Sequence, residues 1–218
     1  MRLLRWIKER LGRKGLVVLE ALLCLAAGVV LWACWDYPIP DPEAHLRRLE
    51  RRDLLPQGEI IHQLDGLVLT CNRVYMLQYD GYIGLGYVES LESNRASSGW
   101  IDLFPALEAQ ATPVQINGTI GQKMGEETVW GRGALAVGMP EGARWAELTY
   151  TRSEGGETVT VTARGEAYEG DTFYFWFTEQ ESQPLFDYGS WLEYSLKAYG
   201  QQDNLLGQTT GQARNKWW

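Results

Sequence analysis

Apolar residues run almost without interruption from Leu16 to Trp35, and Glu20 is the one charged residue in this stretch. A helix of this length measures about 30 Å, which matches the hydrocarbon core of a bilayer. Six Lys and Arg residues come before it, so the positive-inside rule predicts a cytoplasmic N-terminus. The pattern therefore predicts a basic cytoplasmic segment at 1–15 and a single transmembrane helix at 16–35.

Two other fates of this run stay open. The sequence "LWAC" resembles a lipoprotein signal, which would make Cys34 a lipidated N-terminus, and simple secretion would remove the run altogether. Trp32 stands where such signals carry a small residue, and it also suits the aromatic belt at a membrane surface. We therefore predict a retained signal anchor.

Residues 36–57 are predicted to form a stalk with one short helix. Pro38 and Pro40 favour an extended chain, and Asp41 then precedes Pro42 as a helix cap precedes the first helical position. Four arginines on this helix are interpreted either as a solvated face or as candidate membrane-surface contacts: Arg47, Arg48, Arg51 and Arg52.

From Glu59 the hydrophobic period changes to two, which is typical of strands that bury one face. Asp-Gly favours the two-residue turn that fits strand twist, so Asp80-Gly81 predicts a hairpin. Gly155-Gly156, which separates two alternating stretches, and the turn at 202–204 predict two more. The segment 172–177, "TFYFWF", is apolar on both sides and predicts a strand near the centre of a sheet.

These elements predict a mainly β fold over residues 58–218. Short strands separated by turn residues favour an antiparallel β-sandwich, immunoglobulin-like or jelly-roll-like. Little helix is expected in this domain, apart from a short turn in "WIDLFPALEAQA" at 100–111.

Charge and cysteine content narrow the range of partners. The chain from Gln57 onward contains ten Lys and Arg against twenty-one Asp and Glu, a formal charge of −11. An acidic domain repels phosphate backbones, so we expect no nucleic-acid partner. Cys71 is the one cysteine beyond the apolar run, which excludes a disulfide scaffold and a zinc site with paired cysteines.

The sequence offers few groups for catalysis. Its two histidines, His45 and His62, cannot build a histidine metal cluster, and no G-x-S-x-G turn accompanies them. Carboxylates are frequent, but most stand where turns are expected. We therefore predict no catalytic residues, no metal and no cofactor, and keep a pair of carboxylates as the alternative.

Aromatic residues are the remaining candidates for a ligand or partner surface. Tyr174 and Trp176 share one side of the strand at 172–177, where they either pack in a core or form a platform for a sugar ring or an aliphatic peptide. Trp217 and Trp218 end the chain, and three roles stay open for them: packing on the domain, binding the membrane interface, or contacting a partner.

A basic N-terminus, a short stalk and a compact β domain suit a protein of the cell envelope. We predict a non-catalytic binding module, or an accessory subunit of a cell-envelope assembly. Its expected partners are the lipid bilayer and another envelope protein or a glycan. The alternative is a carboxylate-dependent hydrolase that acts on envelope glycans.

Overall fold

A computed structural model of the protein describes residues 15, 17–31, 42–64, 68–69, 73–88, 99–107, 110–154, 156–185 and 189–217. The chain divides into two units. One comprises Met1–Asp41 with Leu91–Ser98, and the other comprises Pro42–Ser90 with Gly99–Trp218.

Helix α1 (residues 17–31) is the described element of the first unit. Apart from the half-buried Leu19, its apolar side chains are exposed, by 60% at Val17 and 68% at Leu25. Among the described residues, no helix has both the length and the apolar character needed to cross a membrane. The rest of the predicted span lies outside the described residues, as does Cys34, so the membrane span remains a prediction.

Helix α2 (Pro42–Arg52) opens the second unit and begins at the predicted proline. Asp41, its predicted cap, lies outside the described residues. The helix ends where Leu54 adopts a positive φ of 57°, because the Leu55 amide then donates to the Glu50 carbonyl at 2.8 Å.

The first sheet has four antiparallel strands in the order β1-β3-β4-β5. These strands are β1 (Glu59–Leu64), β3 (Arg73–Tyr79), β4 (Tyr82–Val88) and β5 (Gly99–Pro105). The predicted hairpin at Asp80-Gly81 joins β3 to β4, with Gly81 at a φ of 74°. The expected helical turn in residues 100–111 is wrong for its first half. There, β5 pairs with β4 and Trp100 stacks on Tyr87 at 4.9 Å, so long-range pairing overrides local preference.

The second sheet has eight antiparallel strands in the order β12-β11-β8-β9-β10-β7-β6-β2. These strands are β2 (Val68–Leu69), β6 (Thr112–Met124), β7 (Glu127–Val137), β8 (Trp145–Glu154), β9 (Glu157–Glu169), β10 (Thr172–Thr178), β11 (Trp191–Tyr199) and β12 (Leu205–Arg214). The predicted hairpins are β8–β9 and β11–β12, and β10 lies between two neighbours as expected for a strand apolar on both sides. The prediction of a mainly β, antiparallel fold is confirmed.

The two sheets pack face to face, with α2 on the far side of the smaller one. Val74, Met76 and Leu85 on one face of the small sheet share a core with Val114 and Leu135 of the large sheet. The opposite face of the small sheet buries Leu46 and Leu49 of α2 against a second core, which includes Tyr75, Leu77 and Tyr79. The order of layers is therefore helix, small sheet, large sheet.

The large sheet is strongly curled. Three strands separate β11 from β7 in the sheet order, which would place them about 19 Å apart in a flat sheet. Nevertheless Leu196 and Ala198 of β11 share one buried core with Ala134 and Ala136 of β7. The curled sheet therefore encloses a core of its own on the face turned away from the small sheet.

Candidate functional site

The predicted aromatic pair, Tyr174 and Trp176, lies on the face of β10 that is turned toward the small sheet. Both side chains are half-buried and pack against the core between the sheets. The Tyr174 hydroxyl is buried, and burial raises the pKa of this phenol above its ordinary value. The pair takes part in the packing between the sheets, which is one of the two roles that the sequence leaves open for it. A ligand or partner surface at this pair remains a prediction.

Trp217 is fully buried in the core of the curled sheet. Its indole nitrogen donates to the Gly133 carbonyl at 3.2 Å, and its ring meets Tyr150 and Phe177 edge-on at 5.3 and 5.2 Å. Of the three roles that the sequence left open, Trp217 therefore packs on the domain and has no surface to offer a partner. Trp218 lies outside the described residues.

Arg47 is one of the four arginines that the sequence offers as candidate membrane-surface contacts, but other groups of the protein bind its side chain. The guanidinium donates to the Glu50 carboxylate at 3.0 Å and to the Gly58 carbonyl at 2.8 Å. Since the side chain is only 17% exposed, Arg47 ties α2 to the chain that follows it. Arg51 and Arg52 are exposed, and Arg48 is half-buried.

Glu50 is the buried partner of that arginine, and it joins α2 to the small sheet. Besides Arg47, its carboxylate accepts from the Gly58 amide at 2.8 Å and from the Tyr79 hydroxyl at 3.0 Å. Burial and this acidic neighbour raise the pKa of Tyr79. The charges here are satisfied internally, so the cluster stabilises the fold and offers no open site.

His62 links the two sheets through a hydroxyl, an imidazole and a carboxylate in series. Its Nε2 lies 2.8 Å from the Thr172 hydroxyl, and its Nδ1 lies 3.1 Å from the Glu169 carboxylate. This is the spacing of a nucleophile, a base and an orienting acid. However, Thr172 has no exposed surface, so no substrate reaches its hydroxyl. These hydrogen bonds connect β1 with the β9–β10 turn.

An open cleft lies beside helix α3 (Glu179–Ser182), the short helix that follows β10. It has a volume of about 650 Å³, within the usual range for ligand sites. We call it the Trp130 cleft. Its lining residues are Thr128, Val129, Trp130, Thr178, Glu179, Gln180 and Gln183.

Trp130 is the main apolar surface of the cleft, with 43% of its area exposed. The residue opposite it on β6 is Gly121, where an added Cβ would lie 3.1 Å from the indole ring. Because Gly121 has no side chain, the ring rests on the neighbouring strand at that point. The sheet thus supports an aromatic surface that remains open to solvent.

The polar side of the cleft is held by a capping box at the start of α3. The Thr178 hydroxyl accepts from the Glu181 amide at 3.1 Å, and the Glu181 carboxylate accepts from the Thr178 amide at 2.8 Å. These reciprocal bonds fix the backbone from which Gln180 and Gln183 project. Within the described part of the chain, neither amide side chain forms a hydrogen bond.

Glu179 gives the cleft an acidic group next to a buried cation. Arg132 is 8% exposed, and burial lowers the pKa of its guanidinium while the nearby Glu179 carboxylate opposes this shift. Glu179 therefore brings one carboxylate to the cleft, and the buried guanidinium of Arg132 partly balances its negative charge.

Sequence reasoning missed this site because it missed the hairpin that carries it. The hairpin β6–β7 turns at Gly125, which has a φ of 68°, and alternation resumes after it in "TVWGRGALAV". The sequence therefore contained a signal for strand β7, and this alternation places Trp130 on the same side of β7 as Ala134. Across the described residues, no group of three or more His, Cys, Asp or Glu side chains is placed to hold a metal ion.

Comparisons with known proteins give no relative on which to base an assignment. No protein-family model, no curated protein and no solved structure matches this chain.

Proposed function

We propose that this protein is a membrane-anchored, extracytoplasmic and non-catalytic binding module, or an accessory subunit of a cell-envelope assembly. The Trp130 cleft carries the proposal. An exposed aromatic ring beside amide groups without internal partners is typical of a surface that recognises a ligand or a partner. For the β domain we retain the immunoglobulin-like or jelly-roll-like sandwich, because two antiparallel sheets share one core.

The anchor is supported by the sequence around α1 and by the exposure of that helix. The exposed apolar side chains along most of this helix need another apolar surface to cover them, and the basic flank at 1–15 suits an anionic inner leaflet. Intact-mass measurement of protein extracted from membranes should show the uncleaved chain. A diacylglyceryl species that begins at Cys34 would contradict this anchor.

A binding role is favoured over the hydrolase alternative because of the carboxylates at the cleft. Glycoside hydrolysis uses two facing carboxyl groups about 5–10 Å apart. Glu179 is the one acidic residue among the described lining residues, and the carboxylate of its neighbour Glu181 is held in the capping box. Turnover of an envelope glycan by the purified protein would overturn the non-catalytic assignment.

Site-specific crosslinking tests whether the cleft binds a partner. A photo-crosslinking amino acid in place of Gln180, in the full chain in native membranes, should give a light-dependent adduct detected by its mass. Trp130→Ala should abolish this adduct, whereas Trp191→Ala should not. Trp191 is a matched control because it is 65% exposed and lies outside the cleft. An adduct that survives Trp130→Ala would contradict the proposal.

A further inference from the structure

We propose that the Trp130 cleft binds a neutral saccharide, an inference that rests on the proposed binding function. A pyranose ring presents C–H groups on its faces and hydroxyl groups around its rim, so it needs an apolar platform bordered by hydrogen-bonding groups. The open ring of Trp130 provides the platform. Gln180 and Gln183 provide amides, which both donate and accept.

The composition of the cleft favours a saccharide over an apolar peptide. Val129 is the other apolar side chain among the described lining residues, and the remaining ones carry hydroxyl, amide or carboxylate groups. The apolar side chains of a peptide would cover several of these groups without offering them hydrogen-bond partners, which destabilises a complex. A sugar satisfies them with its own hydroxyl groups.

The rigid backbone on both sides of the cleft also favours saccharide binding. Gly121 lets the Trp130 ring rest on the neighbouring strand, and the capping box at Thr178 holds the first turn of α3. Ring and amides are therefore attached to fixed backbone on both sides of the cleft, so less conformational entropy is lost when a ligand binds.

Charge selects among saccharides. Glu179 is the one charged side chain among the described lining residues, and the chain from Gln57 onward has a formal charge of −11. Uronate, sulfate and phosphate groups would be repelled by this surface. The cleft therefore discriminates in favour of neutral sugars, and Glu179, whose charge Arg132 balances only in part, is the lining residue that contributes to this preference.

The test uses the full chain in phosphatidylcholine nanodiscs, which contain no sugar. Titration calorimetry is performed with neutral tetrasaccharides of glucose, mannose, galactose and N-acetylglucosamine, and with an anionic tetragalacturonate. We expect at least one neutral tetrasaccharide to bind and tetragalacturonate not to bind. Trp130→Ala should raise the Kd at least about tenfold, Gln183→Ala should raise it about two- to tenfold, and Trp191→Ala should leave it unchanged.

A separate variant tests the preference of the cleft for neutral sugars. Glu179→Gln keeps the shape of the side chain and removes its charge, so tetragalacturonate should gain measurable affinity while the neutral ligand keeps its own. Circular dichroism spectra matching the unsubstituted protein confirm that each variant is folded. If Trp130→Ala fails this check, Gln183→Ala and Glu179→Gln decide the question.

The outcomes separate this inference from the proposed function. The saccharide inference is wrong if no neutral tetrasaccharide binds, or if neither Trp130→Ala nor Gln183→Ala changes the Kd. A Trp130-dependent adduct at position 180 would then still support a binding module whose partner is a protein. If the saccharide binds and is cleaved, recognition stands and the non-catalytic assignment fails.

Discussion

Glu50 shows at the level of one residue how this fold is held together. Its carboxylate is almost fully buried, and it accepts hydrogen bonds from α2, from the following chain and from β3 through Arg47, Gly58 and Tyr79. A buried charge of this kind is stable only while its donors are in place. The residue therefore makes the docking of α2 depend on one carboxylate.

Replacing Glu50 should be far more harmful than replacing the exposed partner of the same arginine. Glu50→Gln leaves the Arg47 guanidinium without its buried counter-charge, and we expect a loss of about 3 kcal/mol in the free energy of unfolding. Glu43 also pairs with Arg47, at 3.5 Å, but its side chain is 57% exposed. Glu43→Gln should therefore change the free energy of unfolding by less than about 1 kcal/mol. Urea denaturation of both variants measures the difference, and equal effects would contradict it.

The role of Glu50 was not predictable from the sequence, whereas the helix that carries it was. Pro42 and the acidic first turn predict where α2 begins, because these are local signals. Two of its three partners, Gly58 and Tyr79, are eight and twenty-nine residues away and meet it only once the helix packs on the sheet. A run rich in arginine therefore suggested a solvated face, although one of its cations is held inside the protein.

At the level of elements, hairpins with a clear turn were predictable and interrupted ones were not. Asp80-Gly81 lies between two short apolar stretches, and it joins strand β3, which ends at Tyr79, directly to β4, which begins at Tyr82. Strand β6 breaks its alternation between Ile116 and Ile120, where the register shifts and Gly118 has a φ of 93°. This bulge hid the hairpin that carries the Trp130 cleft.

The segment after β12 is a second element whose role appears only in the fold. Lys216 donates its amide to Gln115 on β6 at 2.6 Å, and its ammonium group lies 3.3 Å from Asp102 on β5. Trp217 then enters the core and reaches Gly133 on β7. This segment thus connects the far edge of the curled sheet with β6 and β7 and with the small sheet.

Removing the Trp217 side chain should therefore destabilise the whole curled sheet. We expect Trp217→Ala to lower the free energy of unfolding by about 3–5 kcal/mol, because it leaves a cavity among Tyr150 and Phe177. Trp191→Ala removes the same side chain from an exposed position and should change it by about 0.5 kcal/mol or less. Urea denaturation followed by circular dichroism provides the comparison. A small loss of unfolding free energy for Trp217→Ala would show that the segment after β12 does not stabilise the curled sheet.

At the level of the whole molecule, the fold class followed from the sequence but the arrangement of the sheets did not. Alternation is a property of each strand and predicts β structure strand by strand. Strand order and curl depend on packing between distant segments, such as β11 and β7, whose residues Leu196 and Ala134 belong to one core inside the curled sheet. The same contacts explain why Trp217, prominent in the sequence, became a core residue while Trp130 remained at the surface.

The buried tyrosines predict that the protein loses stability in alkaline solution. Burial raises the pKa of Tyr79, Tyr150, Tyr174 and Tyr194 in the folded state. Below about pH 10, the ordinary tyrosine pKa, these phenols are protonated in both states. Above it the unfolded chain releases protons that the folded protein retains, so stability falls by up to about 1.4 kcal/mol per pH unit for each tyrosine.

Urea denaturation between about pH 8 and pH 11 should show this fall beginning near pH 10, with tyrosinate absorbance rising as the protein unfolds. Tyr174→Phe provides the matched test, because the Tyr174 hydroxyl is buried and no hydrogen bond to it is found among the described residues. The variant should be at least as stable as the unsubstituted protein near pH 8, since it removes an unsatisfied polar group. Its stability should also decline less steeply above pH 10. An unchanged slope would mean that Tyr174 ionises in the folded protein, and that water reaches the core between the two sheets.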